Sequence, residues 1–113
     1  MIDQFRPKDL AAWLEQARQQ GEPIVLDVRE PIELQRASVQ ADGFTLVTIP
    51  MSVLPVRLGE LDPQRPIACL CHHGGRSMQV AQFLASRGFA MVANIAGGIH
   101  AWSAELDPRI ATY

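Results

Sequence analysis

Residues 67 to 77 read Ile67-Ala68-Cys69-Leu70-Cys71-His72-His73-Gly74-Gly75-Arg76-Ser77, and this stretch decides the fold. A short apolar run that ends on a cysteine, turns through two glycines and enters a helix predicts a strand, a tight loop and a helix start at one place. Gly74 and Gly75 let successive backbone N–H groups face inward, which makes a nest for an anion. A helix expected over residues 77–86 adds its unpaired N–H groups and the positive end of its dipole at the same point. Such donors favour a thiolate, which makes Cys71 a candidate nucleophile rather than a structural thiol. Cys69, flanked by apolar neighbours in mid-strand, reads as a small core residue.

Working outward, the patterning alternates. Residues 7–19 read as a helix, with Pro7 in its first turn and Leu10, Trp13, Leu14 and Ala17 on one face. A strand is expected over 24–28, a brief helix over 31–37, and a strand over 45–49 that Pro50 stops. Ser52 is expected to cap a short helix through about residue 59, with Pro55 in its first turn. The strand 67–71 delivers the thiol, the helix 77–86 closes at Gly88, and a strand over 91–95 precedes a last helix over 98–105. Alternating strands and helices imply an α/β fold, a mostly parallel sheet with helices on both faces. Ligands of such sheets sit beyond the carboxyl ends of strands, where Cys71 falls.

The chain of 113 residues reads as one domain, 1–113, without repeats or charge blocks. A net charge of −2 argues against nucleic-acid or membrane-surface partners, which call for a basic face. The longest nearly apolar stretch, 89–99, is broken by Asn94 and is too short to span a bilayer. The first residues, Met1-Ile2-Asp3-Gln4-Phe5, do not read as a signal peptide. Two cysteines two apart on a strand are poorly placed for a disulfide and fit a reducing compartment, so a cytoplasmic location is expected.

The segment from Cys71 to Ser77 resembles the active-site loop of the rhodanese (sulfurtransferase) family. Three further stretches are similar to that family in the same order: Leu26-Asp27-Val28-Arg29-Glu30-Pro31-Ile32-Glu33, then Ile49-Pro50-Met51, then Ala96-Gly97-Gly98-Ile99 with Trp102. The loop resembles small bacterial single-domain members most closely. The resemblance implies a five-stranded rhodanese-like sheet and Cys71 as the catalytic nucleophile. It implies a substrate- and persulfide-binding loop of His72, His73, Gly74, Gly75, Arg76 and Ser77, with Arg76 organising the loop and facing substrate. Asp27 and Arg29 would flank the site as supporting residues. From their place at a strand end, the plain reading of this pair is an ion pair or loop anchor. Ser77 reads as a helix cap whose hydroxyl lies near the sulfur. The sequence departs from many relatives between Arg36 and Phe44, where it carries Ala37-Ser38-Val39-Gln40-Ala41-Asp42-Gly43. It also places His72 where thiosulfate-preferring relatives often carry a cationic side chain, which leaves the donor open.

The adjacent pair His72-His73 is read as lining the mouth of a pocket. Neighbouring residues rarely converge on one ion, and the sequence puts no carboxylate or third histidine at ligand spacing. His100 is expected to face solvent, and neither a metal nor an organic cofactor is expected. The expected reaction is transfer of a sulfane sulfur, from thiosulfate or a similar donor to a thiophilic acceptor, through a Cys71 persulfide. Its partners would be a small-molecule sulfur donor and acceptor, or a sulfur-relay protein. An alternative keeps the chemistry but makes the chain a persulfide carrier fed by a cysteine desulfurase. A phosphatase or arsenate reductase is disfavoured because four residues separate Cys71 from Arg76, against five in the phosphatase relatives. A non-catalytic binding module is disfavoured by the presence of Cys71 itself.

Overall fold

Ile24 to Asp27 are all buried, and so are Ile67 to Leu70. Two runs without a solvent-facing side must lie inside a sheet covered on both faces. The computed structural model, which describes residues 2–113, places them so. In chain order its elements are β1 (Asp3–Phe5), α1 (Leu10–Ala17), β2 (Ile24–Asp27), α2 (Pro31–Arg36), β3 (Thr45–Thr48), α3 (Leu54–Arg57), β4 (Ile67–Leu70), α4 (Gly75–Ser86), β5 (Val92–Ile95) and α5 (Gly98–Glu105). The five strands lie in the order β1-β5-β4-β2-β3, and every pairing is parallel. From β2 the chain steps outward to β3 and then crosses back to β4 on the other side. The crevice at the carboxyl ends of β2 and β4 is therefore a topological switch point.

Side chains alternate across the pleat. Val25, Ala68 and Leu70 pack with Leu10, Trp13, Leu14, Ile99 and Trp102 on the face covered by α1 and α5. Ile24, Leu26, Ile67 and Cys69 pack with Leu54, Val80, Ala81 and Leu84 on the face covered by α3 and α4. Cys69 and Cys71 share this second face, and both are free thiols. Burial, and secondarily the nearby Cys71, pushes the Cys69 thiol far up, as suits a core residue. Among the described residues, no helix is long and apolar enough to cross a membrane.

The structure corrects several boundaries. The first strand, β1, is three residues on the sheet edge with exposed Asp3 and Gln4, too short to show a period in the sequence. The first helix opens as a 3-10 turn at Pro7–Asp9 before α1. The helix expected over 52–59 is α3 with 3-10 turns on either side, and Ser52 makes no capping bond. Pro55 explains this: it has no N–H to reach the Met51 carbonyl, which instead takes the Leu54 N–H in a three-residue turn.

Beyond β2 the chain is tied by one side chain. Arg29 is fully buried, and its Nη2 lies 2.8 Å from the Asp27 carboxylate, itself 1% exposed. Arg29 also donates to the carbonyls of Glu33 (3.3 Å) and Ala37 (2.9 Å) and to the Tyr113 hydroxyl (3.1 Å). The expected ion pair is therefore present. It spans β2, α2, the start of the 37–44 connection and the end of the chain. That connection is seated by buried Ala37, Val39 and Phe44. Removing one partner of a buried pair leaves an uncompensated charge, at a cost of about 3–5 kcal/mol. Asp27→Ala should lower stability by about that amount in urea unfolding. A loss below about 1 kcal/mol would mean that the carbonyls alone satisfy the guanidinium.

Candidate active site

Cys71 is the first residue past β4 and is buried. Its Sγ receives the Gly74 N–H at 3.1 Å and lies 3.2 Å from Ser77 Oγ. Gly74 stands at the N-terminus of α4 with φ of +110°, a conformation that disfavours any side chain. Because Gly74 opens the helix, α4 begins at Gly75. Ser77 therefore lies inside the first turn and is not its cap. Gly75 needs neither positive φ nor space for a close neighbour, so Gly74 alone carries the turn. The second helix to reach the loop is α5. Its Ile99 N–H donates to the Cys71 carbonyl (2.9 Å) and its His100 N–H to the His72 carbonyl (3.1 Å). A Cβ at Gly98 would fall within 2.4 Å of both carbonyl oxygens, so only glycine permits this approach. One helix start thus faces the sulfur and the other holds the loop from behind.

Ser77 is fully buried and has two acceptors for one proton. Its Oγ lies 2.6 Å from Asn94 Oδ1 as well as 3.2 Å from the sulfur. Asn94, on β5, is itself fixed, donating through Nδ2 to the Gly74 carbonyl (3.2 Å) and to Gln4 Oε1 (3.1 Å). With a thiol at position 71, the S–H can donate to Ser77 Oγ while the hydroxyl donates to Asn94. With a thiolate, the hydroxyl proton must turn to the sulfur. The Ser77 hydroxyl is thus one donor with two alternative acceptors, Cys71 Sγ and Asn94 Oδ1.

On the solvent side, Arg76 makes a bidentate pair with Glu33 of α2, at 2.6 and 2.7 Å. Its two terminal nitrogens thus meet a carboxylate, where either loop carbonyls or an anionic substrate were expected. Arg76, expected in the loop, lies in the first turn of α4 and ties that turn to α2 through Glu33. The carboxyl of Glu33 also receives the Tyr113 hydroxyl (2.8 Å) and the Glu30 N–H (3.0 Å). The Arg76 guanidinium, opposed by partial burial, holds Glu33 down to about 2. The Tyr113 ring lies parallel to His72 at 3.8 Å, and His73 stacks on the same imidazole at 3.9 Å. Burial, then the neighbouring His73, moves His72 below the ordinary histidine range.

His100 is exposed, as expected, yet the expectation that no third histidine stands near the pair does not hold in space. One ring nitrogen of each of His72, His73 and His100 lies within 4.8 Å of the others. The backbone bonds of α5 to the loop bring His100 there, a proximity that no sequence spacing reveals. Arg29 lies behind the site with its charge met by Asp27. Sequence reading assigned no role to Glu33, Asn94, Tyr113 or the His100 side chain. Asn94 left a signal, a polar residue inside an apolar strand run. Glu33 left another, a glutamate three residues after Glu30 in the pattern of a capping box.

Glu33 supplies a pH test. Its folded value of about 2 lies below its ordinary 4.5. The pair's contribution is therefore full above the unfolded value and is lost as pH falls from about 4.5 toward about 2. Glu33→Gln should flatten the fall in unfolding free energy across that window, measured by urea titrations at stepped pH. An unchanged slope would place the acid sensitivity elsewhere.

Known proteins share this architecture. The model of the rhodanese-like domain family matches residues 10–105. The chain is 44% identical over 91 residues to rhodanese-like/PpiC domain-containing protein 12, chloroplastic, of Arabidopsis thaliana, covering 79% of this chain and 30% of that protein. It is 32% identical over 88 residues to a sulfurtransferase of Allochromatium vinosum, covering 78% of each. The solved structure of a rhodanese-related protein from Thermoplasma volcanium superposes with a TM-score of 0.77 at 30% identity, covering 98% of this chain and 99% of that one. The chain thus spans under a third of the plant relative and most of the bacterial one. With its loop, switch point and parallel sheet, this chain belongs to the rhodanese-like domain family.

Proposed function

We propose that this domain is a sulfurtransferase whose Cys71 carries sulfur as a persulfide. The observation that supports it most is the buried Cys71 sulfur at the start of α4, met by the Gly74 amide and within reach of the Ser77 hydroxyl. A cysteine in such a place is set up to bear negative charge in a small enclosed loop. Likeness to a named sulfurtransferase supports the same chemistry.

The reaction is a double displacement. Cys71 thiolate attacks the outer sulfur of thiosulfate or a similar donor. A sulfur–sulfur bond forms to Cys71, the donor's own sulfur–sulfur bond breaks, and sulfite leaves with the electron pair. The terminal persulfide sulfur is held by the loop amides from His72 to Ser77 and by the α4 N-terminus. An acceptor, cyanide in an assay or a thiol in the cell, attacks that terminal sulfur and releases Cys71 thiolate. Ser77 keeps its proton and directs its hydrogen bond to the sulfur while Cys71 is a thiolate, and to Asn94 Oδ1 when Cys71 is a thiol. The Glu33–Arg76 pair keeps the loop closed against α2 during both steps. In the cell, the donor or acceptor is a small thiol compound or a sulfur-relay protein. The two free cysteines fit a cytoplasmic setting.

Incubation with thiosulfate should add about 32 Da, one sulfur, to the intact protein, reversibly with cyanide or dithiothreitol. Cys71→Ser should abolish the adduct and thiocyanate formation, and Cys69→Ser should retain both. A fully active Cys71→Ser protein would end this reading. Turnover of an aryl phosphate dependent on Cys71 would instead favour the phosphatase class.

Ser77→Ala tests the donor to the sulfur separately. Loss of a hydrogen bond to a charged group, about 1.5–3 kcal/mol, should slow sulfur loading by roughly tenfold or more in a stopped single turnover. An unchanged rate would show that the Gly74 amide suffices.

A further inference from the structure

On the sulfur loop and α5 a second group of side chains comes together, to which the proposed sulfur transfer gives no role. His72 and His73 leave the loop in succession, and His100 projects from the first turn of α5. Their ring centroids lie 3.9 Å (His72–His73), 5.1 Å (His73–His100) and 6.3 Å (His72–His100) apart. One nitrogen from each falls within 4.8 Å of the other two. The cluster is built into the fold, because the His100 amide is bonded to the His72 carbonyl at 3.1 Å. One ring nitrogen of the least exposed member is also unpaired. His72 Nε2 is sealed from solvent and has no hydrogen-bond partner. A buried polar atom left unpaired costs free energy and calls for an explanation.

We propose that His72, His73 and His100 form a three-nitrogen site for a borderline transition cation such as Zn(II), Ni(II) or Cu(II). Imidazole is the ligand such ions favour, and three protein ligands leave a fourth position for water or an anion. A tetrahedral ion with bonds of about 2.0–2.1 Å needs its nitrogens roughly 3.3 Å apart. The largest present separation must shorten by about 1.5 Å to reach that. His73 and His100 are exposed and can turn about their side-chain bonds, whereas His72 is partly buried and stacked against Tyr113. His72 is thus the fixed ligand and the other two close on it, the His73 ring leaving its stack as it does so. The bound ion would clamp the sulfur loop to α5, joining by side chains two segments that backbone bonds already join. Among the described residues no carboxylate belongs to the cluster, so its ligands leave a divalent ion's charge uncancelled beside the sulfur loop.

The site is tested on the full chain carrying Cys71→Ser, so that the thiol is not a ligand and the outcome does not depend on sulfur transfer. Calorimetric titration with Zn(II) should show one ion bound per chain, and saturation should raise the melting temperature. Adding His100→Ala or His73→Ala should weaken binding at least tenfold and cancel the rise. Both residues are exposed, so neither change should alter the melting temperature of the metal-free protein. Absence of Zn(II) binding to the Cys71→Ser chain, or equal binding after His100→Ala, would overturn the proposal.

Discussion

A single buried guanidinium sets the frame of this site. Arg29 lies one residue past the end of the β2–β4 pairing, with no access to water. A cation in that position persists only if its donors are met, and each partner it recruits fixes a different segment. Asp27 fixes the end of β2, the Glu33 carbonyl fixes α2, and the Ala37 carbonyl fixes the start of the connection to β3. The Tyr113 hydroxyl fixes a residue 84 positions away. Because α2 is held, Glu33 stands where it can grip Arg76 in the first turn of α4, just past the sulfur loop. Arg29 therefore acts on the loop at two removes, through α2, without facing the sulfur.

The sulfur is served from two sides by networks of different character. On the core side, Ser77 and Asn94 are buried and nearly neutral, and a single hydroxyl proton can follow the charge on Cys71. On the solvent side, Glu33, Arg76 and Tyr113 form a partly exposed charged cluster, with Arg76 36% and Glu33 16% exposed. A partly exposed pair contributes less to stability than its short distances suggest, because water screens it. Its value lies in position: it closes the loop against α2. Placing the charged network outside and the neutral donor inside spares the core a second buried ion pair beside Asp27–Arg29.

Much of this was legible from one strand-turn-helix segment. The apolar runs of β2 and β4 fixed the central strands, because full burial on both faces leaves no other use for them. Cys71 and its turn followed from glycine and helix-start chemistry. What the sequence hid is what arises from segments far apart. The short edge strand β1 carries too few residues to show a period, and it exists by pairing with β5. The start of α4 slipped to Gly75 because a left-handed glycine, invisible as such in the sequence, served as the cap. Tyr113 meets Glu33 across 80 residues, and no local pattern encodes that. Arg76, expected in the loop, falls in the first turn of α4, and its carboxylate partner lies 43 positions upstream.

The close approach of α5 explains why the loop can be both small and well defined. A four-residue turn has few internal bonds of its own, and its carbonyls would otherwise point away from the sulfur toward water. Gly98 puts no side chain against the two carbonyls, so the Ile99 and His100 amides take them directly. With the carbonyls of Cys71 and His72 held from behind, the Gly74 amide is left free to face the sulfur. The same two bonds carry the His100 side chain to the loop's rim. A second cluster of ligand-bearing side chains thus arises at no further structural cost, as a by-product of the packing that organises the first.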